Sequence, residues 1–198
     1  MDEKGKVVDG DQILGALANA WLKTDELNGG GIVTTVMSNL GLELYLNSKG
    51  LKLCRTHVGD RYVLEYMRQH GFNLGGEQSG HIILSDYAST GDGIIAALQI
   101  LSIALTEGKP ISDVTCLFEP VPQLLRNIKV KDASNFDDTI LRSITETAEK
   151  QIGKMGRVLI RKSGTEEVIR VMVESEDEVL MLKLVDDINS KLLECEAK

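Results

Sequence analysis

Strand-like and helical segments alternate through the first 107 residues, and this alternation constrains the fold more than any other feature of the sequence. The strand-like segments are runs of β-branched or apolar residues, and they occupy residues 31–36, 51–57 and 81–84. The helical segments space their apolar residues three or four apart, and they occupy residues 11–23, 39–47, 62–69 and 93–106. Such alternation is typical of an α/β layer with helices covering a sheet. We therefore predict a mixed α/β/α layered domain.

Two aspartates precede predicted helices. Asp60 is predicted as the N-cap of the helix 62–69, and Asp92 as the cap of the helix 93–106. Asp92 is also a hard oxygen ligand of the kind that divalent cations prefer, but no further ligand adjoins it, so capping is the better interpretation. The segment 93–106 carries no charged side chain, and we therefore expect this helix to be largely buried.

A second, smaller α+β domain is predicted after Pro120 and Pro122, which force extended backbone around Val121. Its predicted elements follow the order β-α-β-β-α and occupy residues 124–130, 137–150, 157–161, 168–173 and 176–194.

The charge and the apolar pattern exclude several classes of partner. The chain has 22 Lys and Arg against 30 Asp and Glu, a net charge of −8 that argues against nucleic-acid binding. The longest apolar stretch, 94–105, is too short to span a bilayer, which needs about 20 apolar residues, so no membrane partner is expected. Three scattered cysteines and the absence of a signal or transit pattern in residues 1–6 predict a cytoplasmic protein with reduced thiols.

Three polar segments are candidates for binding. In the first, Arg161, Ser163, Gly164, Thr165 and Arg170 combine a glycine loop, two hydroxyls and two guanidinium groups, the donors that a phosphate requires. An ordinary hairpin turn with solvated basic flanks explains the same pattern. In the second, Glu77, Gln78 and Ser79 mix acceptors and donors in a way that suits a sugar.

The second segment also contains His81, a candidate proton carrier, although for an isolated histidine a hydrogen-bonded residue at the start of a strand is the better interpretation. The third segment is Gly59-Asp60-Arg61, at a strand-to-helix turn where exposed N–H groups favour an anion and Asp60 also fits a plain helix cap. The sequence has no P-loop, dinucleotide-binding, zinc-protease or α/β-hydrolase motif, so no self-sufficient catalytic constellation and no metal site are predicted.

Several of these segments, taken in order, resemble the bacterial phosphoglucosamine mutases of the α-D-phosphohexomutase superfamily. The segments that carry the resemblance are Val8–Gln12, Met37–Glu43, Val58–Tyr62, Gly76–His81, Thr90–Gly93, Arg161–Glu166 and Ile169–Met172. The resemblance implies a four-domain enzyme that interconverts glucosamine 6-phosphate and glucosamine 1-phosphate through a phosphoserine, with bound magnesium.

The resemblance also implies a role for each candidate residue. Glu77 and Ser79 would hold the sugar hydroxyls, and His81 would line the same cleft. The non-transferring phosphate would be held by Arg161, Ser163, Gly164, Thr165 and Arg170.

The sequence departs from this family in three places. It has no Thr-Ala-Ser-His-Asn-Pro-like nucleophile loop and no Asp-Gly-Asp-Gly-Asp-Arg-like metal loop, and Glu167 stands where the family commonly has proline. We therefore expect residues 1–10 to be the tail of the metal-loop domain, 11–119 to be domain three and 120–198 to be domain four.

A chain of this kind is expected to be inactive alone, to lack the Mg²⁺ ligands, to pair with the missing N-terminal domains, and to form a homo-oligomer through an exposed domain interface. The alternative is a stand-alone, non-catalytic protein that binds sugar phosphates.

Overall fold

The computed structural model describes residues 1–153, 156–163 and 166–196. The chain divides into two compact units, Met1–Pro120 and Val121–Lys198, and each is considered by itself.

The first unit contains four strands and five helices among its residues, all of which the structure describes. Its strands are β1 (Gly31–Thr35), β2 (Lys52–Thr56), β3 (Leu74–Gly76) and β4 (Ile82–Leu84). Its helices are α1 (Gly10–Thr24), α2 (Leu40–Ser48), α3 (Asp60–His70), α4 (Gly93–Glu107) and α5 (Ile111–Thr115). The strand order is β2-β1-β3-β4, with β1 parallel to β2 and β3, and β4 antiparallel to β3.

Apolar cores lie on both faces of this sheet. On one face, Ile32 and Leu74 pack with α1, α2 and α4, and on the other, Val33 and Ile83 pack with α3. Both interior strands, β1 and β3, are buried along their whole length, as expected for strands covered on two sides. The predicted α/β/α layering is therefore confirmed. The short helix α5 was not predicted, because Pro110 and the residues after it are typical of a linker.

The prediction that helix 93–106 is largely buried was wrong. In α4 only Ala96 and Ile100 are buried, because the helix contacts α1, α5 and β4 along one face, where Ile95 and Ile103 are partly buried. Its remaining large apolar side chains are exposed, namely Ile94, Leu98, Leu101 and Leu105. Asp92 does cap α4, because its carboxylate accepts the N–H groups of Ile94 (2.8 Å) and Ile95 (3.0 Å). No helix in the described ranges combines the length and apolar character needed to cross a membrane.

The second unit has the predicted β-α-β-β-α order. Its main elements are β5 (Gln123–Lys129), α6 (Asp138–Ile152), β6 (Gly156–Lys162), β7 (Val168–Ser175) and α7 (Glu178–Glu196), with a 3₁₀ turn at Ala133–Asn135. The sheet is antiparallel with β7 between β5 and β6. Alternate residues of β7, namely Ile169, Val171 and Val173, join the core with α6 and α7, so Arg170 and Met172 lie on the opposite face of the sheet.

Candidate functional site

The loops that follow the three parallel strands of the first unit lie at one edge of the sheet. Because β1, β2 and β3 are parallel, their carboxyl ends meet at this edge, where ligands of open α/β sheets commonly bind. The loop after β2 contains Gly59, and the loop after β3 contains Glu77, Ser79 and His81. Two of the three predicted binding segments of the sequence are therefore neighbours in the structure.

The β3–β4 hairpin holds Glu77 in a closed turn. The N–H of Glu77 donates to the His81 carbonyl (2.9 Å), and the N–H of Gly80 donates back to the Glu77 carbonyl (3.0 Å). Gly80 has φ +99°, a conformation that other L-residues rarely adopt. Backbone hydrogen bonds and the positive φ of Gly80 therefore set the geometry of the β3–β4 turn.

The Glu77 carboxylate links the two loops. Its Oε1 accepts the N–H of Gly59 (3.0 Å), and its Oε2 lies 3.8 Å from Nδ1 of His81. The Glu77 side chain is only 13% exposed, whereas the His81 ring is exposed and also lies 3.2 Å from the Ser79 hydroxyl. Glu77, Ser79 and His81 thus form one polar cluster, with an anchored carboxylate beneath an exposed hydroxyl and imidazole.

Asp60 is not the helix cap that the sequence predicted. The N-cap of α3 is Gly59, with φ +129°, and Asp60 is the first helical residue. The Asp60 carboxylate accepts the N–H of Arg61 (2.8 Å), and both side chains are exposed. The prediction failed because Gly59, whose N–H is bound by Glu77, is the N-cap, so α3 begins at Asp60 and not at the predicted residue 62.

The first turn of α1 supports this cluster, a role that no sequence pattern indicated. The N–H of Gly10 donates to the carbonyl of Gln78 (2.9 Å). A Cβ atom at Gly10 would lie 2.9 Å from the Gln78 carbonyl oxygen and the Gly80 nitrogen, and closer still to the Glu77 carbonyl oxygen. Only glycine therefore allows α1 to approach the Glu77 loop this closely.

Asp11, the next residue, is a buried carboxyl that belongs to none of the predicted binding segments. Its Oδ2 accepts the N–H of Asn39 (2.8 Å), the N-cap of α2, and so ties α1 to the loop after β1. Burial raises the pKa of Asp11 to about 6, although the hydrogen bonds from Asn39 and Ser38 oppose this shift. The Ser38 hydroxyl also bonds to that of Thr34.

The candidate phosphate loop connects β6 and β7 in the second unit. Arg161 and Arg170 are directly opposite each other in the antiparallel register, so their side chains share one face of the sheet. Partial burial, together with repulsion from Arg170, lowers the pKa of Arg161. Arg170 donates through Nη2 to Glu166 (3.2 Å), an ion pair between two partly exposed side chains. The two arginine side chains thus extend from the same face of the sheet, and the Glu166 carboxylate forms an ion pair with the Arg170 guanidinium group.

The described part of the loop is closed at both ends. The N–H of Ser163 donates to the Val168 carbonyl (3.0 Å). Glu167, where the resembled family commonly has proline, accepts the N–H of Ala133 (2.7 Å), so it fastens the base of the loop to the segment after β5. Gly164 and Thr165, the other two predicted phosphate ligands, lie outside the described residues.

A resident metal does not fit the described residues. Within residues 1–153, 156–163 and 166–196, no three or more His, Cys, Asp or Glu side chains lie close enough together to hold a metal ion.

Comparison with known proteins places the chain in a family. The profile for phosphoglucomutase/phosphomannomutase, alpha/beta/alpha domain III, matches residues 9–121, and the profile for the C-terminal domain of the same family matches residues 121–191. The chain is 55% identical to the phosphoglucosamine mutase of Brucella anthropi over 188 residues, which is 95% of this chain and 42% of that protein. It is also 55% identical to that of Parvibaculum lavamentivorans over 187 residues, again 42% of the relative.

The fold agrees with a solved structure of lower sequence similarity. The N-acetylphosphoglucosamine mutase of Aspergillus fumigatus, in complex with GlcNAc-6P and magnesium, superposes with a TM-score of 0.77 at 19% identity, over 94% of this chain and 47% of that one. This chain thus spans less than half the length of the relatives that it matches. With both profiles matched in sequence order, the chain belongs to the phosphoglucomutase/phosphomannomutase family, of which it contains domain III and the C-terminal domain.

Proposed function

We propose that this chain is the substrate-binding half of a phosphoglucosamine mutase, an isomerase that interconverts glucosamine 6-phosphate and glucosamine 1-phosphate. The observation that carries the proposal is the 55% identity to phosphoglucosamine mutases over 95% of the chain. Conversion itself is assigned to upstream domains, because the sequence contains no string like the family's phosphoserine or metal loops.

The proposed sugar site is the cluster of Glu77, Ser79 and His81. An anchored carboxylate accepts hydrogen bonds from sugar hydroxyls without having to reorganise, and the neighbouring hydroxyl and imidazole can donate or accept. Gly59 and the first turn of α1 act as positioning groups, since they hold the backbone of this loop.

The proposed phosphate site consists of Arg161, Ser163, Gly164, Thr165 and Arg170. Two neighbouring cations favour a bound anion, because partial burial and, to a smaller extent, repulsion from Arg170 lower the pKa of Arg161, and a phosphate offsets both effects. Glu166 competes for Arg170, so phosphate binding replaces an exposed ion pair with a charge-assisted hydrogen bond to the ligand.

A pair of arginine variants tests the phosphate site. Arg170→Gln is expected to weaken binding of glucosamine 6-phosphate by about 10–100-fold, the range for loss of a charge-assisted hydrogen bond. Arg126→Gln is the matched control, because Arg126 is exposed and lies opposite Val171, on the other face of the same sheet. Calorimetric titration of each variant measures the effect, and equal affinities for the two variants would contradict the assignment.

Glu77→Gln tests the sugar site separately. This variant keeps an acceptor for the Gly59 N–H but removes the charge, so binding of glucosamine 6-phosphate should weaken while binding of inorganic phosphate should not. An equal loss for both ligands would place Glu77 outside the sugar site.

A further inference from the structure

Helix α4 carries an exposed stripe of apolar side chains. The stripe consists of Ile94, Leu98, Leu101 and Leu105, which are 75%, 58%, 45% and 83% exposed. No charged residue occurs in α4 before its last residue, Glu107. On α7, by contrast, the exposed Val179 and Leu182 are followed on the same face by the exposed, charged Asp186. A continuous apolar patch of this kind marks an interaction surface.

The spacing of the stripe specifies the shape of its partner. The intervals between successive members are four, three and four residues, the a/d pattern by which one helix packs its side chains into the surface of another. The surface thus fits a second helix with an apolar seam, rather than a flexible peptide or a small ligand.

The size of the stripe indicates where that helix comes from. A 15-residue helix is about 22 Å long and, with its side chains, about 10–12 Å wide, so one of its faces presents on the order of 200–300 Å² of surface. A stable complex of free proteins buries about 800 Å² per partner. An interface between domains of one polypeptide needs less, because the covalent link raises the effective concentration.

The relatives are long enough to supply such a helix, since this chain matches only 42% of their length. We propose that the α4 stripe is the docking surface for an apolar helix from the upstream half of the complete enzyme. This inference rests on the proposed function, because it assumes that the chain works together with the upstream domains.

Thiol labelling in a chimera tests the proposal without relying on activity. The chimera joins this chain to the upstream part of the Brucella anthropi relative, the part that the chain does not match. Leu98→Cys introduces a thiol in the stripe, and Ile94→Cys provides a second stripe position if the first variant folds poorly. Leu182→Cys on α7 is the matched control, since Leu182 is 52% exposed. Labelling rates are read peptide by peptide by mass spectrometry, which separates the new thiols from Cys54, Cys116 and Cys195.

The proposal predicts that the stripe thiol reacts at least tenfold more slowly in the chimera than in the 198-residue chain, while the Leu182→Cys thiol reacts equally in both. Equal rates at the stripe would overturn the proposal, and mutase turnover by the same chimera would show that the proposed function nevertheless stands. Protection in the chimera that increases with its concentration would also overturn it, because a second copy, and not the upstream part of the same molecule, would then occupy the stripe.

Discussion

Helices α1 and α4 begin alike and have different surroundings. Each has 15 residues, an aspartate N-cap and a glycine as its first residue. Eight residues of α1 are buried, whereas α4 buries two, although α4 is the more apolar of the two helices. Helix α1 lies against β1, β3, α2, α4 and α5, while α4 contacts α1, α5 and β4.

This difference shows that an apolar helix is not always covered by the unit that contains it. In α1 the apolar residues match surfaces that the same unit provides, so composition and burial agree. In α4 the same kind of residues exceeds what the unit can cover, and the excess is concentrated in one stripe. An apolar helix therefore indicates that a partner surface exists, but does not indicate which part of a protein supplies it.

The largest expected difference between the helices concerns truncation of a leucine. Leu17→Ala in α1 should lower the free energy of unfolding by about 2–5 kcal/mol, because Leu17 is fully buried. Leu98→Ala in α4 should change it by less than about 0.5 kcal/mol. Trp21 is the only tryptophan in the sequence and lies in α1, so its fluorescence during denaturation follows the first unit. Equal losses of unfolding free energy for the two variants would contradict the claim that α1 is buried in the first unit while the α4 stripe is not.

The second difference concerns the glycines that begin the helices. Gly10→Ala should cost about 1–3 kcal/mol, because the new methyl group would overlap the backbone of the Glu77 loop. It should also weaken binding of glucosamine 6-phosphate. Gly93→Ala is the matched control and should be nearly neutral, since no atom lies within 4 Å of the position that its methyl group would take. Denaturation and calorimetry measure both effects, and a neutral Gly10→Ala variant would mean that α1 does not position the loop.

The smallest expected difference is in the pH dependence of stability. The first turn of α1 contains the acidic residue Asp11, whereas the first turn of α4 contains none. The pKa of Asp11 rises from 3.8 to about 6 on folding, so the folded state retains the proton more strongly. The contribution of this group to stability is therefore greatest at low pH and falls as the pH rises from about 4 to about 6.

Asp11→Asn removes this titration. At pH 5, about one unit above the unfolded pKa, the variant should be more stable than the original chain by about 1–2 kcal/mol, because one pKa unit is worth about 1.4 kcal/mol, and the gain should vanish below about pH 4. Thermal unfolding of the variant and the original chain across this pH range measures the stability difference between them. A stability difference that does not depend on pH would show that Asp11 is not titrating as described.

Elements whose determinants are local could be predicted from the sequence. The periodicity predicted the helices and strands other than the short elements β3 and α5. Asp92 was recognised as a cap because its hydrogen bonds reach only two and three residues ahead. The pairing of Arg161 with Arg170 follows from a short hairpin whose register is fixed by the intervening loop.

Features that depend on distant contacts could not be predicted in this way. Gly10 matters because a loop about 70 residues later lies against it, and Asp11 because it bonds to Asn39. The start of α3, observed at Asp60, was predicted at residue 62, because Glu77 from another loop binds the Gly59 N–H and the sequence does not show this contact. The exposure of α4 depends on which surfaces pack against it, and the α4 sequence does not contain that information.

Turnover by the chimera of this chain with the upstream part of the Brucella anthropi relative tests the central claim most directly. The account predicts that the chimera converts glucosamine 6-phosphate to glucosamine 1-phosphate, that Arg170→Gln reduces its kcat/KM at least tenfold, and that Arg126→Gln does not. A folded chimera that binds glucosamine 6-phosphate but shows no turnover would contradict the account, and would favour a stand-alone protein that binds sugar phosphates without converting them.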